Sequence, residues 1–261
     1  MSHFQQLKFI ECTNQYLSSP VFNHVLEIGS YDINGSIKGI FSFNNYLGLD
    51  LIDGPGVDKV YDGADMSFLP NASFDLVISS ECFEHNPHWE NNIVDMYQKL
   101  RFGCHMLVTC ASRGRAEHGT QRSSPESSIG TSSKGWDYYR NIRIAEFRSS
   151  IQKLNFEYYY LGYNRFSKDL YFFGKKGDYN ESQHKNFNSS FKKLIKPAFT
   201  EFPKKHPNPI VNLYFSFLDF PVLISSYLLN ETYFQNFQIF WRSLTSKLNN
   251  FLLLIYRNLI K

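Results

Sequence analysis

The stretch Val25–Ser36, VLEIGSYDINGS, decides how the rest of the chain is read. Apolar Val25 and Leu26 lead into an acid, Glu27, and Ile28 then gives way to Gly29, a polar run and Gly35. A short apolar run broken by a glycine reads as a buried strand that delivers its carboxyl end to a loop. In open α/β sheets, ligands bind along that carboxyl edge. The loop chemistry limits which ligand. A phosphate loop needs GxxxxGK[ST] with its lysine, and a dinucleotide loop needs GxGxxG. Neither is present, and Tyr31 stands where a second glycine would be. The loop carries Glu27 and Asp32 instead. Carboxylates repel phosphate and attract cations, so the loop suits a cationic ligand without phosphate.

Outward from this strand, short apolar runs alternate with longer mixed segments. Strands are expected at His24–Ile28, Tyr46–Leu49, Val57–Tyr61, Phe74–Ser79, His105–Cys110, Phe156–Leu161 and Asp169–Gly174. Between Trp89 and Leu100, Trp89, Ile93, Met96, Tyr97 and Leu100 recur at spacings of three and four, which predicts a helix with one buried face. Alternation of this kind predicts an α/β fold of Rossmann-like design. Its seven-stranded sheet is mostly parallel and has helices on both faces. YLGLDL places Asp50 at the end of the second strand, where a carboxylate can accept both hydroxyls of a ribose. Nicotinamide-binding proteins use the same placement, so Asp50 alone does not discriminate.

The bounds agree with a single large domain or a domain plus an appendage: 261 residues, 43% hydrophobic, net charge +3. The small net charge argues against a dedicated nucleic-acid binder. The four cysteines, Cys12, Cys82, Cys104 and Cys110, form no CxxC pair, so reduced thiols are expected, with neither a disulfide framework nor a metal site. MSHFQQLKFIEC has no basic start followed by a long apolar run, so no secretory signal is expected and a cytoplasmic location is. Residues 1–176 are read as the main domain, the polar stretch 177–190 as a linker, and 191–261 as an aromatic, basic and helical extension. In that extension IVNLYFSFLDFPVLISSYLL, Ile210–Leu229, has the ~20 residues that span a bilayer, but Asp219 and Pro221 interrupt it. Helices packed on the domain, on a second copy or along a membrane surface are expected. Lys192, Lys193, Lys196, Lys204 and Lys205 suit anionic lipid.

From Val21 to Gly174 the ordered set VLEIGS, YLGLD, DGADM, LPNASFDLVISSECFEH and QKLRFGCHMLVTCAS resembles the class I S-adenosylmethionine-dependent methyltransferases, closest to the broad type 11 group. The first motif departs from ExGxGxG at Tyr31, and RFGC at Arg101–Cys104 replaces KPGG. The resemblance implies S-adenosylmethionine as cofactor. Glu27, Gly29 and Ser30 would then lie at its methionine end, Asp50 at the ribose, Asp65 and Met66 at the adenine, and Ser80, Glu81 and Cys82 near the sulfonium.

The long loop from Ser112 to Gly135 begins at the carboxyl edge of the fifth strand and is expected to act as a lid. Arg113, Arg115, Glu117, Tyr138 and Tyr139 are candidate substrate contacts, and His85 and His118 are candidate general bases. GRAEHGT and DYYRN also resemble methyltransferases of cell-surface polysaccharide biosynthesis. The expected activity is methyl transfer to a small-molecule, sugar or glycolipid acceptor. The competing readings are a catalytically idle module acting through its tail, and a nicotinamide oxidoreductase. The latter is disfavoured by the acidic loop and the absent GxGxxG.

Overall fold

A computed structural model describes residues 4–32, 37–200 and 209–259. Gly35, Lys204 and Lys205 lie outside the described residues. The elements run α1 (Phe4–Tyr16), β1 (Val21–Ile28), β2 (Ser42–Asp50), β3 (Lys59–Val60), β4 (Phe74–Ser80), α2 (Trp89–Lys99), β5 (Leu100–Ala111), α3 (Ile129–Ser133), α4 (Ile144–Ile151), β6 (Phe156–Asn164), β7 (Asp169–Lys176), α5 (Glu181–Leu194), α6 (Lys196–Thr200), α7 (Pro209–Leu228) and α8 (Glu231–Leu259).

The strands form one seven-stranded sheet in the order β3-β2-β1-β4-β5-β7-β6. β1 pairs in parallel with β2 and β4, β2 with β3, and β4 with β5; β7 runs antiparallel to both β5 and β6. This is the mostly parallel α/β sheet that the strand spacing predicts. Its middle strand, FDLVISS, is buried on both sides except at Asp75, as a central parallel strand should be. Successive residues divide between two cores. Leu26, Ile28, Val77, Met106, Val108 and Phe172 face α2 and α4 through Trp89, Ile93, Met96 and Phe147. Val25, Leu76, Ile78, Leu107, Tyr171 and Phe173 face the other layer through Phe9, Ile10, Phe187 and Phe191. The two-residue period of a strand thus builds both layers from one sequence.

Two elements depart from the sequence-based expectation. The 177–190 stretch is not a linker: α5 occupies most of it, capped by the Asn180 side chain, which accepts the Gln183 amide at 3.0 Å. Phe187 and Phe191, four residues apart, place rings in the core against Phe173 and Tyr158. Two apolar residues on a single helical stripe are sufficient to dock an otherwise polar helix. The chain instead divides into compact units at Met1–Glu201 and Phe202–Lys261. The other departure is α1, which has no counterpart among the expected elements. Its buried face mixes Phe9, Ile10 and Cys12 with Gln5, Gln6 and Thr13, so its pattern is weak.

The second unit is the helical extension, α7 and α8. Pro221 lies inside α7 and lacks the amide that would continue the ladder. One turn earlier the Leu218 carbonyl accepts Trp241 Nε1 of α8 at 2.8 Å. Among the described residues no helix is long and apolar enough to cross a membrane.

Candidate functional site

The chain leaves β1 toward β2 and β3 on one side, then returns to place β4 on the other side of β1. That reversal opens a crevice at the carboxyl ends of β1 and β4, the usual ligand position in such sheets. A cleft lies there. Glu27, Ile28, Gly29, Ser30 and Asp32 come from the end of β1, Asp50 and Leu51 from β2, and Ser80, Glu81, Cys82, His85 and Asn86 from β4 and its exit.

Gly29 is required where it stands. Its φ is +79°, and a Cβ there would meet Cys82 Cβ at 2.5 Å. The Gly29 and Ser30 amides donate to the Leu49 carbonyl at 2.9 and 3.1 Å, which turns the loop back over β2. The Tyr31 amide then donates to Asp50 Oδ2 at 3.0 Å and the Leu51 amide to Oδ1 at 2.7 Å. Burial raises the Asp50 carboxyl above its ordinary value, and these backbone amides oppose the shift. Glu27 is buried and accepts the Tyr46 hydroxyl. Burial pushes its carboxyl up to about 7, with Tyr46 and Lys38 acting in the opposite direction.

The floor is built differently. Glu81 has φ +52°, a left-handed conformation unusual for a residue with a side chain. Its buried carboxylate accepts Gln6 Nε2 from α1 and lies 3.6 Å from Arg115 Nη2 and 4.0 Å from His118 Nε2. Arg115 also pairs with buried Asp169 at 3.3 Å. The rings of His85, His118 and Tyr139 meet with centroids 4.9, 5.5 and 5.0 Å apart. Burial lowers both imidazoles, His85 to about 3. Glu84, beside His85, is fully buried and accepts the Ala111 amide at 3.1 Å.

The Ser112–Gly135 loop is ordered, not structureless. Glu117 ties it internally by accepting Thr120 Oγ1 at 2.7 Å and Arg122 Nε at 2.6 Å. Ser127, Ser128, Ile129, Gly130 and Thr131 then line the cleft together with Trp136. Gly130 sits directly against Asp50 and Leu51, where a Cβ would lie 3.2 Å from both.

Of the expected site residues, Glu27, Gly29, Ser30, Asp50, Ser80, Glu81 and His85 line the cleft. Asp65 and Met66 do not. β3 holds only Lys59 and Val60, so the cleft is reached by Tyr61 and Gly63, before the chain arrives at Asp65. Asp65 is turned to solvent and accepts the Ser67 amide at 2.7 Å; Met66 is buried in the core. Arg115, Tyr139 and the candidate base His118 are not part of the cleft lining; they pack behind the lining residues Glu81 and His85. Glu117 is committed within the loop. Arg113 offers its carbonyl to the Tyr163 hydroxyl at 2.7 Å, and Tyr138 packs beside Arg140, both away from the cleft lining. Sequence reasoning missed Gln6, Gly63, Asn86, Asp169 and Trp136. Asn86 donates to the Gly63 carbonyl at 3.0 Å and fixes the far wall. Of these only Gly63, inside DGADM, falls within a motif quoted from the sequence.

No protein-family model matches the chain, and no curated protein matches it. Solved structures share its fold at low likeness. One is 1,6-didemethyltoxoflavin-N1-methyltransferase of Burkholderia thailandensis, solved with S-adenosylhomocysteine: 13% identity, TM-score 0.45, covering 67% of this chain and 80% of that one. Another is phosphoethanolamine N-methyltransferase 2 of Haemonchus contortus, solved with S-adenosyl-L-methionine: 14% identity, TM-score 0.46, covering 66% of this chain and 52% of that one. At these levels neither carries an argument about the chemistry of this chain.

Proposed function

We propose that the chain is an S-adenosylmethionine-dependent methyltransferase acting on a small-molecule, sugar or glycolipid acceptor. The observation that carries this reading is the arrangement of three acids, Glu27, Asp50 and Glu81, on one cleft at the reversal point of the sheet. A ligand that is cationic at one end and carries a ribose diol at the other matches that arrangement. Glu27 faces the ammonium and sulfonium. Ser30 Oγ is buried, lines the cleft and has no hydrogen-bond partner within the protein, so it is available to the methionine carboxylate. Asp50 accepts the ribose hydroxyls. Leu51, Gly63 and Trp136 form an apolar slot for the adenine in place of Asp65 and Met66.

The methyl group leaves an already good leaving group, so the protein acts mainly by positioning and desolvating the nucleophile. We assign the proton acceptor to the floor formed by Glu81, His85 and His118, with Arg115 and Tyr139 beside it. Cell-surface polysaccharide precursors are the acceptor class suggested by the resemblance of GRAEHGT and DYYRN. The cytoplasm is the corresponding compartment. Calorimetric titration with S-adenosylhomocysteine, with NAD as the control, tests the reading: heat with the first alone supports it, and heat with NAD alone overturns it.

The extension serves an interface in this proposal, with anionic lipid or a second copy as its partner. Phe217 and Leu228 of α7 are 73% and 77% exposed, large for apolar side chains. A chain ending near Glu201 should stay folded, bind S-adenosylhomocysteine and lose either liposome sedimentation or oligomeric mass. A chain ending near Asn180 should precipitate, because it lacks Phe187 and Phe191.

A further inference from the structure

Glu84, His85 and His118 meet behind the cleft wall, which His85 alone of the three lines, and one ligand atom from each lies within 4.8 Å of the others. Glu84 is 0% exposed and His85 5%. Glu84 uses Oε1 on the Ala111 amide, while Oε2 has no hydrogen-bond partner. Both ring nitrogens of His85 also have none, and neither does His118 Nε2. His118 Nδ1 lies 3.0 Å from the Ala116 carbonyl and donates to it, which fixes the tautomer with the Nε2 lone pair free. A buried polar atom left without a partner is destabilising. Several lone pairs converge here, and a hydrogen bond between two acceptors cannot satisfy them. A cation can.

We propose that Glu84, His85 and His118 bind a divalent transition-metal ion of the zinc class behind the cleft wall. Two imidazole nitrogens and one carboxylate oxygen suit borderline ions such as zinc or cobalt; magnesium and calcium favour all-oxygen sets. In a tetrahedral site with metal–ligand bonds of ~2.0–2.2 Å, neighbouring ligand atoms stand ~3.3–3.6 Å apart, so side-chain rotations must draw the cluster together by up to about 1.5 Å. Three protein ligands leave a position open, and His85 brings that position to the cleft wall. The inference deepens the methyl-transfer reading and, for its chemical role, rests on it. The site favours acceptors that present a hydroxyl to the metal. That hydroxyl loses its proton to Glu81 and then to water; its oxygen bonds to the methyl carbon as the carbon–sulfur bond breaks, and sulfur keeps the electron pair as S-adenosylhomocysteine.

The test uses the untagged full-length chain, stripped with a chelator and titrated with Co2+ in the visible range. One Co2+ per chain is expected, with the absorption bands of four- or five-coordinate cobalt, displaced by Zn2+. Glu84→Gln, which keeps the side-chain shape, and His118→Ala should each weaken Co2+ binding about tenfold or more while retaining the wild-type circular dichroism. No bound Co2+, or Co2+ binding unchanged in both variants, overturns the site. S-adenosylhomocysteine titrated into the same samples separates the two claims. Its binding without Co2+ binding removes the metal and leaves the methyltransferase, and the reverse removes the methyltransferase and leaves the metal site.

Discussion

The two halves of the cleft are made in opposite ways. The rim, where the cofactor is proposed to lie, is built from backbone amides and acids within a few residues of the ends of β1 and β2. The floor, where the acceptor is proposed to lie, is built from side chains of α1, the exit of β4, the loop after β5 and the start of β7. Local chain geometry holds the rim in place. The floor is held by buried charge, with Arg115 between Glu81 and Asp169. A rim of this kind can bind while the floor is damaged, and a damaged floor should show itself in turnover first.

The largest effect should come from the floor. His118→Ala is expected to lower methyl transfer by about 100-fold or more while S-adenosylhomocysteine affinity stays within about twofold. Parallel loss of both, by kinetics and calorimetry, would mean that the two halves are not separable. On the rim, Asp50→Ala should weaken S-adenosylhomocysteine by about 3 kcal/mol, roughly 100-fold, through loss of two charge-assisted hydrogen bonds. An unchanged dissociation constant would remove Asp50 from the cofactor. Gly29→Ala drives a methyl group into Cys82 at a left-handed position and should destabilise the fold by ~1–3 kcal/mol, read as a melting point lower by about 5 °C. A melting point that does not move would show that the loop yields.

The smallest effect is one of pH. Burial holds the folded Glu27 carboxyl at about 7, against an ordinary 4.5, so the folded chain keeps a proton that the unfolded chain releases. Stability of the ligand-free protein is therefore greatest below about pH 4.5 for this group and falls as pH rises toward 7. A cationic ligand prefers the ionised carboxylate, so S-adenosylmethionine binding should tighten about tenfold as pH passes upward through that range. Glu27→Gln should flatten both dependences. The wild-type minus variant difference isolates Glu27 from Asp169, whose carboxyl is raised to about 8 by burial and Glu81. A variant with the same pH slope as wild type would acquit Glu27.

The contrast also explains what could be read in the sequence. β1, β4, α2 and the β6–β7 pair follow their periodicities closely, because each buries a continuous stripe of its own residues. Glu27, Gly29 and Asp50 are legible for the same reason: a strand end fixes where they point. Asp65 and Met66 rest on the family resemblance, and a motif match does not fix where the chain turns after β3: the cleft wall is made by Gly63 and Trp136, while Asp65 faces solvent. α5 is hidden because Asn, Ser and Lys outnumber Phe187 and Phe191, although the ring positions, not the average polarity, decide its packing. The Glu84–His85–His118 cluster has no sequence signature, since its third member arrives from a loop that crosses β5 first.

The reach of α1 into the floor bears on how the protein is made. Gln6 touches Glu81, yet the surface that holds α1 is formed by β7, α5 and α6. During synthesis at roughly 5–20 residues per second, α1 leaves the ribosome on the order of ten seconds before that surface exists. The first described helix to be made is thus among the last to be seated, and Gln6 reaches Glu81 only after the chain has been extended past Thr200.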